Sequence, residues 1–273
     1  PDIWRRQLLD YESLGPHYKY SGRFTSNEVN IIDGKLDRYI RRVSQQNKSI
    51  PNILVDRFRF DSFSTQQIQK VLHGTYAKYA HTMYMYFIIT APQDTVERGW
   101  IRGKERGRYK SVEDFLGHSV EAYQGIPKLI FKWLAHTTPQ YEFTFFDNSV
   151  PKGQFPLTSA TGNQKGIQVF DPRVFINIER YQKINIHAQN AQQVYPNEKI
   201  MAVANNMSFF NQCLKRFPSA SFSCSHKHQP YLIVRQKSYT ISNQEELNLQ
   251  REDPELEALF EQILAPRTCI NSI

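Results

Sequence analysis

The run Met83-Tyr84-Met85-Tyr86-Phe87-Ile88-Ile89 constrains the fold of this chain more than any other stretch. It is too short for most helices and rich in aromatic and β-branched side chains, so it reads as a strand buried on both faces. It stops at Thr90-Ala91-Pro92. A basic segment from Gly99 to Lys110 follows, and then Ser111-Val112-Glu113-Asp114, which has the spacing of a helix N-cap with an acidic first turn. A strand that feeds a helix and a cluster of guanidinium groups suits a site for phosphoryl oxygens.

The segments before it prepare the same architecture. Leu8-Leu9 reads as the end of a short strand, followed by Asp10 and Glu12 at a loop, where carboxylates past a strand's C-terminal end meet ligands in open α/β sheets. Val29, Ile32, Leu36, Tyr39 and Val43 keep helical spacing over 26–43, with Ser26 as cap. Ile53-Leu54-Val55 forms a second buried strand ending in Asp56-Arg57-Phe58-Arg59, and Ser64 or Thr65 opens a helix to about Ala80. Val112 to Tyr123 marks one further helix, Ile126-Pro127 starts the next, and Tyr141 to Phe146 is a strand closed by Asp147-Asn148. This alternation predicts right-handed crossovers and a mostly parallel sheet with helices on both faces.

The character changes after residue 148. Residues 149–166 are rich in Ser, Thr, Gly, Pro and Lys and read as a long exposed loop or linker. Asp171-Pro172 has the form of an N-cap and first helical residue. Ile200, Val203, Met207, Phe210, Leu214 and Phe217 predict one amphipathic helix. Tyr231–Val234 and Tyr239–Ile241 predict a pair of strands, and Asp253-Pro254-Glu255 a capped helix. The division expected is a core over 1–150 and a C-terminal α+β extension over 151–273.

A net charge of +8 favours anionic partners: nucleotides, nucleic acid or acidic lipid. No apolar run approaches the roughly 20 residues that span a bilayer. The odd number of cysteines suggests reduced thiols and a cytosolic setting. Cys224-Ser225-His226-Lys227-His228 lacks the paired ligand spacing of a zinc site, so no metal centre is expected there.

Residues 8–150 together resemble the zeta-toxin family of P-loop kinases. Leu8-Leu9-Asp10-Tyr11-Glu12-Ser13 is similar to the family's second-strand motif, a hydrophobic pair followed by Asp-x-Asp. Gly15-Pro16-His17-Tyr18 is similar to the His-Pro-Asn-Phe that follows it. Ile53-Leu54-Val55-Asp56 resembles the strand ending in Glu-Gly-Thr-Gly-Arg, although Asp56-Arg57-Phe58 stands where the family has Glu-Gly-Thr. Met85 to Pro92 resembles the strand ending in Ala-Val-Pro, Glu97-Arg98 matches Glu-Arg-Tyr, and Arg108 followed by His118 resembles the Arg and His-Asp pair of the lid segment. The family's phosphate-cradling loop, Gly-x-x-x-x-Gly-Lys-Ser/Thr, has no counterpart in the sequence. It is expected ahead of Pro1 in a longer protein; otherwise the chain is an inactive relative.

The resemblance implies transfer of a phosphoryl group from ATP, with Mg²⁺, to a hydroxyl of a nucleotide sugar or dinucleotide. It implies a toxin or effector acting in a cytoplasm, its own or a host cell's, and restrained by an antitoxin or chaperone. Such transfer needs a carboxylate to take the acceptor's proton and positive charge around the phosphoryl oxygens. Glu12 or Asp10 is the expected base, and Arg98 and Arg108 the expected phosphate contacts. Asp56, with Arg57 and Arg59, is expected at the substrate, and Arg102 and Arg106 supply lid charge. Two other readings stand beside it: a nucleic-acid-binding module built on the basic segment and its aromatics, and a partner-binding pseudokinase.

Overall fold

The computed structural model describes residue 8 and residues 26–46, 82–106, 110–136, 140–224 and 229–270. The elements expected over 9–13 and 53–80 lie outside these. Helix α1 (Ser26–Gln45) covers the expected stretch with Ser26 as its first residue, but of the expected apolar positions Val29 is buried while Leu36 and Tyr39 are exposed; β1 (Thr82–Ile89) is the strand that opens the described sheet.

Pro92 opens α2 (Pro92–Arg106), where its missing N–H is no loss. Ser111 caps α3 (Val112–Leu134) as its spacing predicts, accepting the Asp114 N–H at 3.0 Å. Pro127 sits inside α3 and does not start a second helix. The hydrogen bond lost at a proline is tolerated here because Tyr123, Ile126 and Ile130, on either side of it, are buried in the core.

After α3 come β2 (Gln140–Asp147), β3 (Leu157–Asn163) and β4 (Gly166–Val169). The segment 149–166 is thus not one exposed loop: it contains β3 and the turn of a hairpin. Asn163 Oδ1 accepts the Lys165 N–H at 2.8 Å in that turn, and a side chain at Gly162 would run into the Phe143 ring. Helix α4 (Arg173–Arg180) starts one residue later than expected, with Asp171 Oδ1 taking the Arg173 N–H at 3.0 Å.

The single helix expected over 200–217 is broken into α5 (Glu198–Met201), a 3₁₀ turn (Val203–Asn205) and α6 (Ser208–Arg216). Buried Asn206 causes the break, its Nδ2 donating to the carbonyls of Ile200 and Ala202 at 2.8 Å each. The chain ends in β5 (Ala220–Phe222), β6 (Leu232–Val234), β7 (Ser238–Ile241), α7 (Gln244–Gln250), α8 (Pro254–Leu264) and β8 (Thr268–Cys269). Asp253 caps α8 as predicted, accepting from Glu255 N at 2.9 Å and Leu256 N at 3.4 Å.

The eight strands form one sheet in chain order, which continues without interruption past residue 150. Pairs β1/β2, β4/β5 and β7/β8 are parallel, and the other four are antiparallel. The fold is α/β, but the sheet is mixed and not mostly parallel, because short connections turn β2 to β3, β3 to β4 and β6 to β7 back on themselves.

One row of register partners crosses seven strands: Phe87, Phe145, Ala160, Val169, Phe222, Leu232 and Ile241. All but the last are buried, beneath α3, α4, α6 and α8. The row on the opposite face runs Tyr86, Thr144, Thr161, Gln168, Ser221, Ile233 and Thr240, and none of these is buried. Every parallel crossover advances in the same direction along the sheet, so a common right hand places all the crossover helices on one side. Among the described residues, then, the helical core covers one face where two were expected. Strand β1 is accordingly one-sided, with Phe87 and Ile89 at 3% exposure and Tyr84, Tyr86 and Ile88 at 58%, 55% and 51%.

Candidate functional site

The parallel pair β1/β2 ends at an edge that hydrogen bonds lock together. The Asn148 N–H donates to Ile89 O at 2.7 Å, which extends the ladder past both strands, and Asn148 Nδ2 donates to Thr90 Oγ1 at 3.2 Å. The Ala91 N–H donates to Ser149 Oγ at 3.1 Å, and the Ser149 N–H donates to Asp147 Oδ1 at 2.8 Å. From α3, the Tyr123 hydroxyl donates to Thr90 O at 2.7 Å and accepts from Thr90 N at 3.0 Å.

Arg98 comes from the second turn of α2. Its Nη2 donates to Val150 O at 2.7 Å, so the guanidinium is held against the segment that leaves β2. Gln93 Nε2, in the first turn, donates to Ala191 O at 3.2 Å and brings the 190s loop to the same edge.

A tyrosine cluster backs this edge. The Tyr123 and Tyr181 rings meet edge to face at 5.0 Å. Burial pushes both phenols well above the ordinary tyrosine value, and it raises Tyr195 as well. The Asp147 carboxylate adds to the rise at Tyr123 and Tyr181, and Asp94 to that at Tyr181 and Tyr195. Two carboxylates and one guanidinium therefore share this edge with three neutral phenols. The arrangement can bind phosphate oxygens through Arg98 and accept a hydroxyl or a hydrated cation at the carboxylates.

Of the residues singled out from the sequence, Arg98 reaches the strand ends. Arg102 lies one turn further along α2, exposed, and Arg106 is the last residue of that helix. Asp10, Glu12, Asp56, Arg57, Arg59 and Arg108 lie outside the described residues. His118 belongs to α3, where its Nδ1 contacts Lys110 Nζ at 2.6 Å and the carbonyl of Asp114. Asp94, Asp147 and Tyr123 belong to the site although the sequence reading assigned them no role there. The signal for Asp147 was present: it ends a strand, as Asp10 and Glu12 were expected to.

Among the described residues no helix is long and apolar enough to cross a membrane, and no three His, Cys, Asp or Glu side chains form a metal-binding group. Comparison of the chain with protein-family models, with curated proteins and with solved structures found no match.

Proposed function

We propose that this chain is part of an ATP-dependent phosphotransferase acting on a hydroxyl of a nucleotide-linked small molecule, a nucleotide sugar or a dinucleotide. The observation that carries the reading is Arg98 held on Val150 O at 2.7 Å, at the C-terminal edge of two parallel strands. That contact uses one hydrogen of Nη2 and leaves the rest of the guanidinium fork for a phosphoryl group.

In this reading Glu12 or Asp10 takes the acceptor's proton, and Arg108 joins Arg98 on the phosphoryl oxygens. Asp56, Arg57 and Arg59 bind the acceptor, while Arg102 and Arg106 are solvated charges of the lid. Mg²⁺ binds through one or two carboxylates together with substrate phosphates, and Asp94 and Asp147 have the chemistry for it. Bound there, Mg²⁺ would neutralise charge on the triphosphate. A toxin or effector restrained by an antitoxin or chaperone fits the same reading.

The test is transfer of labelled γ-phosphate, with Mg²⁺, to a panel of nucleotide sugars and dinucleotides, using the product of the complete reading frame. A labelled small-molecule product is expected. Neither transfer nor stabilisation by ATP in a thermal-shift assay would leave a partner-binding scaffold in its place.

A second reading, a nucleic-acid-binding module, is favoured by the exposed side of α2. There Lys104 Nζ lies 5.4 Å from the ring of Trp100, which is 56% exposed, with Arg102 close by in sequence. Binding to single-stranded nucleic acid that weakens steeply with salt would support it.

A further inference from the structure

A groove of about 680 Å³ opens between α3, α4 and α6, lined on α3 by residues from Gln124 onward, which lead away from the strand ends. Lys128 and Lys132 stand one turn apart on its α3 wall, Lys183 follows α4, and Arg216 ends α6. Glu179 is the one carboxylate of the lining, and it is already engaged. Its Oε2 accepts the Phe209 N–H at 2.9 Å, and Oε1 lies 3.5 Å from Lys183 Nζ. The lining therefore holds an excess of three positive charges.

Like charges four residues apart weaken a helix, so the Lys128/Lys132 pair is not explained by the stability of α3. The groove floor is aromatic. Phe131 and Phe209 meet at 5.8 Å, and the Arg216 guanidinium lies 4.4 Å over the Phe131 ring, which holds the fork flat. Gln182 Nε2 donates to Ile178 O at 3.0 Å and Gln212 Nε2 to Ser208 Oγ at 3.4 Å, so each amide keeps its carbonyl oxygen for a ligand.

We propose that this groove binds a nucleoside diphosphate, at a site separate from the strand ends. Its volume falls in the range of small-molecule pockets, about 300 to 1,000 Å³. Side chains four apart on a helix lie about 5 to 6 Å apart at Cβ, which suits two neighbouring phosphate groups. The Arg216 guanidinium over Phe131 and the amide oxygens of Gln182 and Gln212 suit the uncharged nucleoside.

The test is calorimetric titration of the full chain with ADP, and with inorganic pyrophosphate and sulfate at matched ionic strength. In an Arg98→Ala background, which removes the phosphate contact proposed at the strand ends, one saturable ADP site with Kd below about 1 mM is expected. Added to that background, Lys128→Ala/Lys132→Ala should lower its affinity at least tenfold, and Lys128→Arg/Lys132→Arg should keep it. Both lysines are exposed and repel each other along α3, so the unfolding midpoint of the alanine variant should not fall. Unaltered ADP affinity in the alanine variant, no ADP site left in the Arg98→Ala background, or sulfate binding as tightly as ADP would overturn the assignment.

Discussion

The hydroxyl of Tyr123 satisfies both backbone groups of Thr90, donating to its carbonyl at 2.7 Å and accepting from its amide at 3.0 Å. Thr90 is the first residue past β1, where the ladder has ended, and both bonds are partly buried. Tyr123→Phe strands a donor and an acceptor together. Stability should fall by about 1 to 3 kcal/mol, with no change in the urea m-value. Tyr141→Phe is the contrast, because the Tyr141 hydroxyl reaches Met85 Sδ, a weak acceptor, at 3.6 Å. That variant should stay within about 0.5 kcal/mol of the parent.

Alkaline unfolding should report the same phenols. Burial pushes Tyr123, Tyr141, Tyr181 and Tyr231 well above the ordinary value of 10.0. Below pH 10 both folded and unfolded chains keep these protons, and the tyrosines add no pH dependence. Above it the unfolded chain releases them while the folded chain retains them, so stability falls as pH rises toward the folded values. Each such tyrosine contributes a slope of about −1.4 kcal/mol per pH unit. Urea titrations between pH 9 and 11 should show a fall, and the fall should be shallower in Tyr141→Phe by the share of one proton. An identical slope in that variant would mean that Tyr141 is ionised in the folded protein.

Arg98 carries the proposed chemistry, and Arg98→Lys tests it with the charge kept. An arginine acting on a transferring phosphoryl group contributes about 10³ to 10⁵ in rate, and lysine does not reproduce its fork. The one hydrogen bond to Val150 O contributes only about 1 kcal/mol to stability, so the variant should remain folded. Arg102→Ala, at an exposed position, should change turnover little. If Arg98→Lys keeps a tenth or more of the parent's turnover, the guanidinium does not act on the transition state.

Local signals were legible in the sequence where one or two side chains decide the outcome. Ser111 and Asp253 cap their helices as their spacing predicts, and the apolar runs at β1 and β2 are strands. Strand direction was not legible, because it is set by pairing between distant segments. Strand β3 hides among Thr158, Ser159, Thr161 and Asn163 because one face of the sheet is polar and the other, at this strand, needs small residues such as Ala160 against the aromatic core. The unbroken run at β1 looked two-sided since an exposed tyrosine is as apolar in a sequence as a buried one. Arg98 was visible from its place after a strand. Tyr123 was visible only as a core position, since nothing in the sequence tells a phenol that packs from one that also binds a backbone.

Gly99 sets the approach of α2 to α3. A Cβ there would overlap the ring of Phe115, which also lies 5.2 Å beneath Lys110 Nζ. Alanine favours a helix over glycine by about 1 kcal/mol, but overpacking costs about 1 to 3 kcal/mol. Gly99→Ala should therefore be neutral to destabilising in the parent and stabilising in a Phe115→Ala background. A double-mutant cycle with a coupling near zero would show that the ring moves aside freely.

Asn206 decides the path of the chain between α4 and α6. It is 0% exposed and its side chain is fully used: Nδ2 donates to Ile200 O and Ala202 O at 2.8 Å each, and Oδ1 accepts from Lys183 Nζ at 2.9 Å. Asn206→Ala should cost about 2 to 4 kcal/mol, since two carbonyls lose their donor in a site that no side chain refills. Asn206→Asp separates the two roles. The aspartate keeps an acceptor for Lys183 and strengthens it with charge, yet it has no hydrogen to give to either carbonyl. If the donor role holds this turn together, urea unfolding at pH 7 should find the aspartate variant as unstable as the alanine one. Near-parental stability would instead assign the turn to the Lys183 contact, and the break in the helix would need another cause.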